Sequence, residues 1–453
     1  MNFVKKFWLL LLMLLGLHLL LLINLQFTAW PEMFSYAFLR NNGFLLYKDM
    51  VYPYPPVLVL GLSILYKLFG YKLIVLKLAT WAIILVSDIL IFLIVKKVTS
   101  RSLLAVSSLL FYVLTQPFLS GNQLWFDLAI LPPVLLGTFF FLDKKYLLSG
   151  VFLGVAALTK QTAVLFLVVS GLWLLITEKR FNFVIKLAAG PLFLFLVLLV
   201  RLITEGAVQG FFNWTVVYPL TYWGEFPGYV EAVLNSREWL VVILLSLPAI
   251  ILFLRKNYLL LIIYYLLSII MVYPRFSFFH FQLAIAFSAI LFGVSLKSFK
   301  VPRFLFITYY FLLITFITLP ALKTSWQKET RFWGASDLRL ASIVQKEVDG
   351  SVYLLGPHSG LYVMAGKLPP KPWVDNFGWY FEVPGVQEQA IKSWRENPPG
   401  VVIIQDPNPG EWFEIGTYQP KEVVAWVGEN YSREREIESG LWLWTLRRAQ
   451  GKE

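Results

Sequence analysis

The chain has no cysteine and only three histidines, His18, His280 and His358, in 453 residues. Disulfide staples and thiol nucleophiles are thereby excluded, and structural zinc sites or iron–sulfur clusters have too few ligands to form. Charge is scarce too: 15% of residues are charged against 58% hydrophobic, and mean hydropathy is +0.68. Soluble globular domains run nearer to roughly a quarter charged and half apolar, so a water-soluble fold is excluded and the bilayer is the expected solvent. Chemistry must rest on carboxylates, Lys, Arg and Tyr.

The net charge of +12 is unevenly placed. Before Ala321 there are 24 Lys and Arg against 10 Asp and Glu, and from there on 15 against 17. A basic excess confined to the apolar part fits loops sorted by the positive-inside rule, and nucleic acid is not an expected partner.

Lys5 and Lys6 precede an unbroken apolar run from Phe7 to Ile23, longer than a signal-peptide core and without a small-residue cleavage site after it. It reads as a retained first transmembrane helix. Charged breaks set off further candidate spans at Ile74–Val95, Leu103–Phe118, Leu124–Leu142, Tyr146–Thr159, Thr162–Thr177, Leu187–Ile203, Trp239–Leu254, Tyr258–Tyr273, Phe279–Leu296 and Phe304–Pro320, making eleven with the first. With Lys5 and Lys6 cytoplasmic, the pairs Lys96-Lys97, Lys144-Lys145, Lys179-Arg180 and Arg255-Lys256 all alternate onto the same side, with Lys297, Lys300 and Arg303. The spans at 146–159 and 162–177 are short for a perpendicular crossing, so they are either two spans or a re-entrant hairpin.

The stretch Pro55–Phe69 is too short to add a crossing and reads as a helix on the outer face, opened by Pro55 and Pro56. The first outer loop therefore runs over about 28–71, a length that ordered loops reserve for function. After Pro320 the composition changes, dividing the chain into a multi-span domain, 1–320, and an outer α/β domain, 321–453. In the latter, strands are expected at Ser351–Leu355, Val401–Gln405, Glu422–Val427 and Leu441–Leu446, with helices at Ser336–Glu347 and Val386–Asn397. It carries no glycine-rich phosphate loop and is assigned no catalysis.

Ionisable residues gather toward the outer side: Glu32, Arg40, Lys48, Asp49, Asp127, Lys160, Arg201, Arg237, Glu238, Arg275 and His280. Such groups are costly near hydrocarbon unless they pair or face a cavity, which makes a shared polar site one reading and interfacial charge the other. Glu32, where the first helix leaves the membrane, is placed either to act as a general base or to stabilise the following helix through its dipole. Asp49, among tyrosines and prolines, is a catalytic candidate or a turn aspartate. Asp127 calls for a cationic partner, which Lys160 or Arg275 can supply. Lys160, Arg275 and His280 can meet a lipid phosphate or simply sit at the headgroups. Asp88, deep in the second span, reads as an interhelical hydrogen-bonding residue.

The order of these residues resembles the GT-C-fold membrane glycosyltransferases that use polyprenyl-phosphate sugars, the superfamily of protein O-mannosyltransferases and lipid A aminoarabinose transferases. Glu32-Met33-Phe34-Ser35-Tyr36 is similar to the acidic motif after the family's first helix, with Glu32 at its aspartate position and Met33 replacing its second acid. Gly43 to Asp49 and Pro55-Pro56 resemble its next outer motif, and Asp127 its second outer aspartate. Gly150 to Lys160 and Arg275 to His280 resemble its glycine-rich helix ending in lysine and its late arginine.

The resemblance implies an α-helical polytopic GT-C-like protein in the plasma (inner) membrane, N-terminus cytoplasmic and C-terminal domain extracytoplasmic. It implies an inverting enzyme that moves a sugar from a polyprenyl-phosphate donor to a hydroxyl of a lipid, glycan or protein acceptor. Glu32, Asp127 and Asp49 are then the catalytic set, and Lys160, Arg275, His280, Tyr36, Lys48 and Arg201 the substrate- and phosphate-binding set. No metal or other cofactor is required. A transporter or lipid-linked-sugar flippase is the alternative, and it predicts inverted repeats and polar groups through the bilayer depth. Neither pattern is evident in the sequence.

Overall fold

The computed structural model describes residues 3–226, 229–253, 255–298, 303–375, 378–406 and 420–447. It is mostly helical with one small sheet near the C-terminus. The expected end of a span at Leu254 and the basic residue Lys300 lie outside the described residues. Among the described residues, four helices are long and apolar enough to cross a membrane: Phe7–Asn24, Leu73–Thr99, Phe181–Glu205 and Phe304–Ser325.

The other expected spans are shorter apolar helices, and proline explains two of the interruptions. Ser102–Val113 stops before Pro117, which has no amide to continue the ladder and sits instead in the 3-10 turn Gln116–Phe118. The stretch expected at Leu124–Leu142 is split into Phe126–Ala129 and Leu131–Leu142, the second carrying Pro in its first turn. A helix of 12 residues such as Leu131–Leu142 rises about 18 Å, short of a hydrocarbon core of about 30 Å. Eleven full-length crossings are therefore not what the helix lengths give.

The chain divides into two compact units. The first comprises Met1–Thr28, Leu76–Leu198 and Ala232–Thr330. At its centre is the helix Gln282–Ser298, buried continuously from Gln282 to Ser295, as a helix apolar all round should be. It packs on Ser102–Val113, Ser236–Leu252 and Leu259–Ile270. A chain of polar side chains runs through this core. Asp88 Oδ2 lies 2.8 Å from His18 Nδ1, His18 Nε2 lies 3.1 Å from Gln116 Oε1, and Gln116 Nε2 donates to Gln282 Oε1 at 3.0 Å. Asp88 is thus the interhelical residue its depth implied.

The second unit comprises Ala29–Val75, Leu199–Glu231 and Arg331–Glu453. The outer loop supplies it with two helices, Glu32–Asn41 and Val57–Phe69, the latter following Pro55-Pro56 as expected. The later segment supplies a four-stranded sheet of β1 (Val352–Leu355), β2 (Val401–Gln405), β3 (Tyr431–Glu438) and β4 (Leu441–Leu446), in the order β1-β2-β4-β3. β1 and β2 are parallel in register Val352↔Val401, and β4 is antiparallel to both β2 and β3. The connection from β1 to β2 contains the helix Val386–Glu396, as a parallel pair requires.

Two sequence expectations fail in this sheet. Glu422–Val427 is not a strand but part of the helix Lys421–Asn430. Its buried residues Val423, Trp426 and Val427 stand three and four apart, and that period overrides the strand preference of the paired valines. The strand that fills the place, Tyr431–Glu438, was not expected. It is a charged edge with five consecutive exposed residues after Tyr431, so it lacks the apolar alternation that marks a strand.

Candidate active site

Glu32 opens the helix Glu32–Asn41, where an acid in the first turn and Arg40 in the last complement the helix dipole. This helix is buried along most of its length, and Glu32 is itself only 5% exposed. Its Oε2 atom is buried with no hydrogen-bond partner. Burial first, and then the negative charge of Asp375, push the Glu32 carboxyl from its ordinary 4.5 up to about 8. Asp375, 2% exposed, belongs to the C-terminal segment of the same unit.

A short hydrogen-bond chain joins the two segments beside this pair. The Ser359 hydroxyl donates to Asp375 Oδ2 at 3.3 Å and lies 3.1 Å from Ser35 Oγ. Because Ser359 has one proton to give, Ser35 is the donor in the second contact. Tyr36, one turn on from Glu32, meets Tyr52 edge-on at 4.9 Å and Trp373 at 5.6 Å between ring centroids. Burial, then the charges of Tyr380, Asp375 and Glu32, push its hydroxyl well above the usual tyrosine value. Tyr380 shares a side-chain hydrogen bond with Tyr36. The result is a buried carboxyl pair beside aromatic rings, and its unpartnered oxygen is equipped to accept a proton.

The other residues expected in this unit have other surroundings. Asp49 accepts from the Leu45 amide at 3.0 Å and from Lys371 Nζ at 2.9 Å, the turn-aspartate role with an ion pair added. Lys48, beside it, is exposed. Arg201 donates through Nε to Glu205 Oε1 at 3.1 Å, and Arg40 reaches the same oxygen at 3.4 Å. This is a part-buried ion cluster in which the single carboxylate engages both guanidinium groups.

In the first unit, Asp127 is fully buried and is held on both oxygens. Lys160 Nζ donates to Oδ1 at 2.6 Å, and His280 Nδ1 lies 2.8 Å from Oδ2. Arg275 stands near enough to His280 for their charges to interact. Asp127, Lys160, Arg275 and His280, drawn from three expected helix ends, are thus brought together. A carboxylate engaged on both oxygens is a poor base. Among the described residues, no three His, Asp or Glu side chains gather as a metal site would need.

Asp375, Ser359 and Tyr380 were missed. They lie in the C-terminal segment, to which no catalysis was assigned, and only the fold brings them to the first outer loop. The sole local hint is the stiff, aromatic run Pro369-Pro370-Lys371-Pro372-Trp373-Val374-Asp375.

Comparison of the sequence with protein-family models and with curated proteins returns no match. Comparison of the fold does. The chain is similar to the ArnT structure from Cupriavidus metallidurans bound to undecaprenyl phosphate, with TM-score 0.58, 12% identity and 100% of each chain covered. It is also similar to the archaeal oligosaccharyltransferase AglB from Archaeoglobus fulgidus in complex with an inhibitory peptide and a dolichol-phosphate, with TM-score 0.57, 9% identity, and 100% of this chain and 75% of that one covered. The apo form of the Archaeoglobus enzyme gives TM-score 0.53 at 11% identity over 99% of this chain and 76% of that one. At such identities the likeness is one of fold, and at that level the GT-C resemblance holds.

Proposed function

We propose that this GT-C-fold chain is an inverting glycosyltransferase that moves a sugar from a polyprenyl-phosphate donor to an acceptor hydroxyl at the outer face of the membrane. In this reading the shorter apolar helices complete a bundle of about eleven membrane segments, with the N-terminus cytoplasmic and the C-terminal domain outside. The observation that carries the chemistry is the buried Glu32 carboxyl, with a free oxygen and an affinity for protons raised to about 8.

Glu32 removes the proton from the acceptor hydroxyl as that oxygen attacks the anomeric carbon. The new carbon–oxygen bond forms on the face opposite the phosphate, the bond to the phosphate oxygen breaks, and polyprenyl phosphate departs with the electron pair. Burial first, and then the charge of Asp375, raise the proton affinity of Glu32. In the first unit, Lys160 and Arg275 have the chemistry that a lipid phosphate calls for, with Lys160 bonded to Asp127, whose other oxygen meets His280. Each of the two ligand-bound similar structures holds a polyprenyl phosphate, dolichol-phosphate in one and undecaprenyl phosphate in the other, which supports the choice of donor.

The test is transfer of radiolabelled sugar from polyprenyl-phosphate donors in membranes carrying the wild-type chain or Glu32→Gln. The variant is expected to lose on the order of a hundred- to ten-thousandfold in rate, the usual contribution of a general base. Wild-type transfer that survives in Glu32→Gln would remove Glu32 from the chemistry.

A further inference from the structure

In the first unit, a cavity of roughly 420 Å³ opens between the start of the first helix and the turn from Thr99 to Ser102. Its polar lining is Lys96, Arg101, Ser100 and Ser102, with no carboxylate among the described residues, and its apolar lining includes Trp8, Phe92 and Leu103. The backbone holds this shape. Ser100 takes a left-handed conformation at φ +58°, its amide donates to Lys96 O at 2.8 Å, and the Arg101 amide donates to Thr99 Oγ1 at 3.2 Å. Those bonds use main chain and the Thr99 hydroxyl, so both basic side chains are left to face the cavity. Lys96 Nζ stands 5.6 Å from the Trp8 ring centroid. Ser102 begins the helix Ser102–Val113, which has no side-chain cap, so the positive end of its dipole adds to the same charge.

Trp8 is 48% and Leu103 61% exposed, so apolar surface continues outward from the cationic end. A free anion would be served by the charge alone. Charge joined to open apolar surface fits an amphiphile, with its headgroup on the cations and a chain along Trp8 and Leu103. We propose that this cavity binds the headgroup of an anionic glycerophospholipid from the leaflet facing the basic end of the bundle. The site is independent of the transfer reaction, so the fate of that reading does not touch it.

The experiment is native mass spectrometry of the full chain in detergent with phosphatidylglycerol, phosphatidylcholine or inorganic phosphate. Each basic residue near an anionic surface contributes about fivefold, so wild type should retain phosphatidylglycerol over phosphatidylcholine on the order of tenfold or more. Lys96→Gln/Arg101→Gln should lose that preference, Trp8→Ala should weaken retention of both lipids, and the exposed pair Lys144→Gln/Lys145→Gln should leave it unchanged. If the double variant does not fold, judged by its unfolding midpoint, the exposed Arg101→Gln alone is expected to lose about fivefold. An unchanged preference in the Lys96 and Arg101 variants, or an equal loss in the Lys144/Lys145 control, overturns the site. Displacement of phosphatidylglycerol by inorganic phosphate at matched concentration would mark an anion site and overturn the lipid assignment.

Discussion

A carboxyl buried beside a second carboxyl is expensive to ionise, and Glu32 carries that cost in both activity and stability. In the proposed reaction its conjugate base is the active form, so with a pKa near 8 the transfer rate should climb as pH rises toward about 8 and then level off. Asp375→Asn keeps a group that can accept from Ser359 but removes the charge, which should move that rise to lower pH. A rate profile identical in wild type and Asp375→Asn would separate the two carboxyls functionally. Stability runs the other way. Below 4.5 the folded and unfolded states both keep the proton; between 4.5 and about 8 only the unfolded state releases it, so wild-type stability falls across that window. Glu32→Gln has no proton to lose. Its unfolding midpoint should therefore match wild type at low pH and exceed it above pH 8, the usual exchange of function for stability. Half of this pair was readable: Glu32 follows the first helix in an acidic–aromatic motif, whereas Asp375 lies more than three hundred residues away and is joined to it by tertiary structure alone.

Between helices, the glycine-rich stretch that resembled a family motif turns out to be a packing face. A Cβ at Gly150 would stand 1.9 Å from the Leu187 carbonyl oxygen, and one at Gly154 2.8 Å from Pro191 Cα. These two glycines, four residues apart, let Tyr146–Ala157 lie backbone to backbone against Phe181–Glu205, the close approach that small residues give membrane helices. Gly150→Ala should lower the unfolding midpoint by about 1–3 kcal/mol of stability, because the obstacle is main chain and cannot rotate away. Gly16, inside the helix Phe3–Asn24 with nothing within 4 Å of its added Cβ, is the control, and Gly16→Ala should be neutral or stabilising. Equal midpoints for Gly150→Ala and wild type would mean that the two helices are not held at this distance. Elements were legible where their period was unmixed, as in Val386–Glu396 or Val401–Gln405. They were misread where β-branched residues sat on a helical face, at Lys421–Asn430, and where an exposed edge replaced alternation with charge, at Tyr431–Glu438.

At the scale of the whole molecule, composition identified the bilayer and the change of character after Pro320, because both are sums over many residues. It could not show that the compact units are assembled from discontinuous segments, since that depends on pairings between residues far apart in the chain. In the second unit the first outer loop and the C-terminal segment are joined like neighbouring strands. The Trp373 amide donates to Asp49 O at 2.9 Å, the Val51 amide donates to Trp373 O at 3.0 Å, and Lys371 bonds both Gly43 O and Asp49. Trp373, 1% exposed, fills the space against Tyr36 and Tyr362. Removing it should cost about 3–5 kcal/mol, and since its ring packs against both the outer loop and the C-terminal segment, the loss should reach both. Hydrogen exchange of Trp373→Ala is therefore expected to show lost protection in 29–75 and 352–375 together, with the helices Leu131–Leu142 and Gln282–Ser298 of the first unit unchanged. Protection lost only around residue 373 would mean that the outer loop is stable by itself, and Glu32 would then be held in place without help from the segment that carries Asp375.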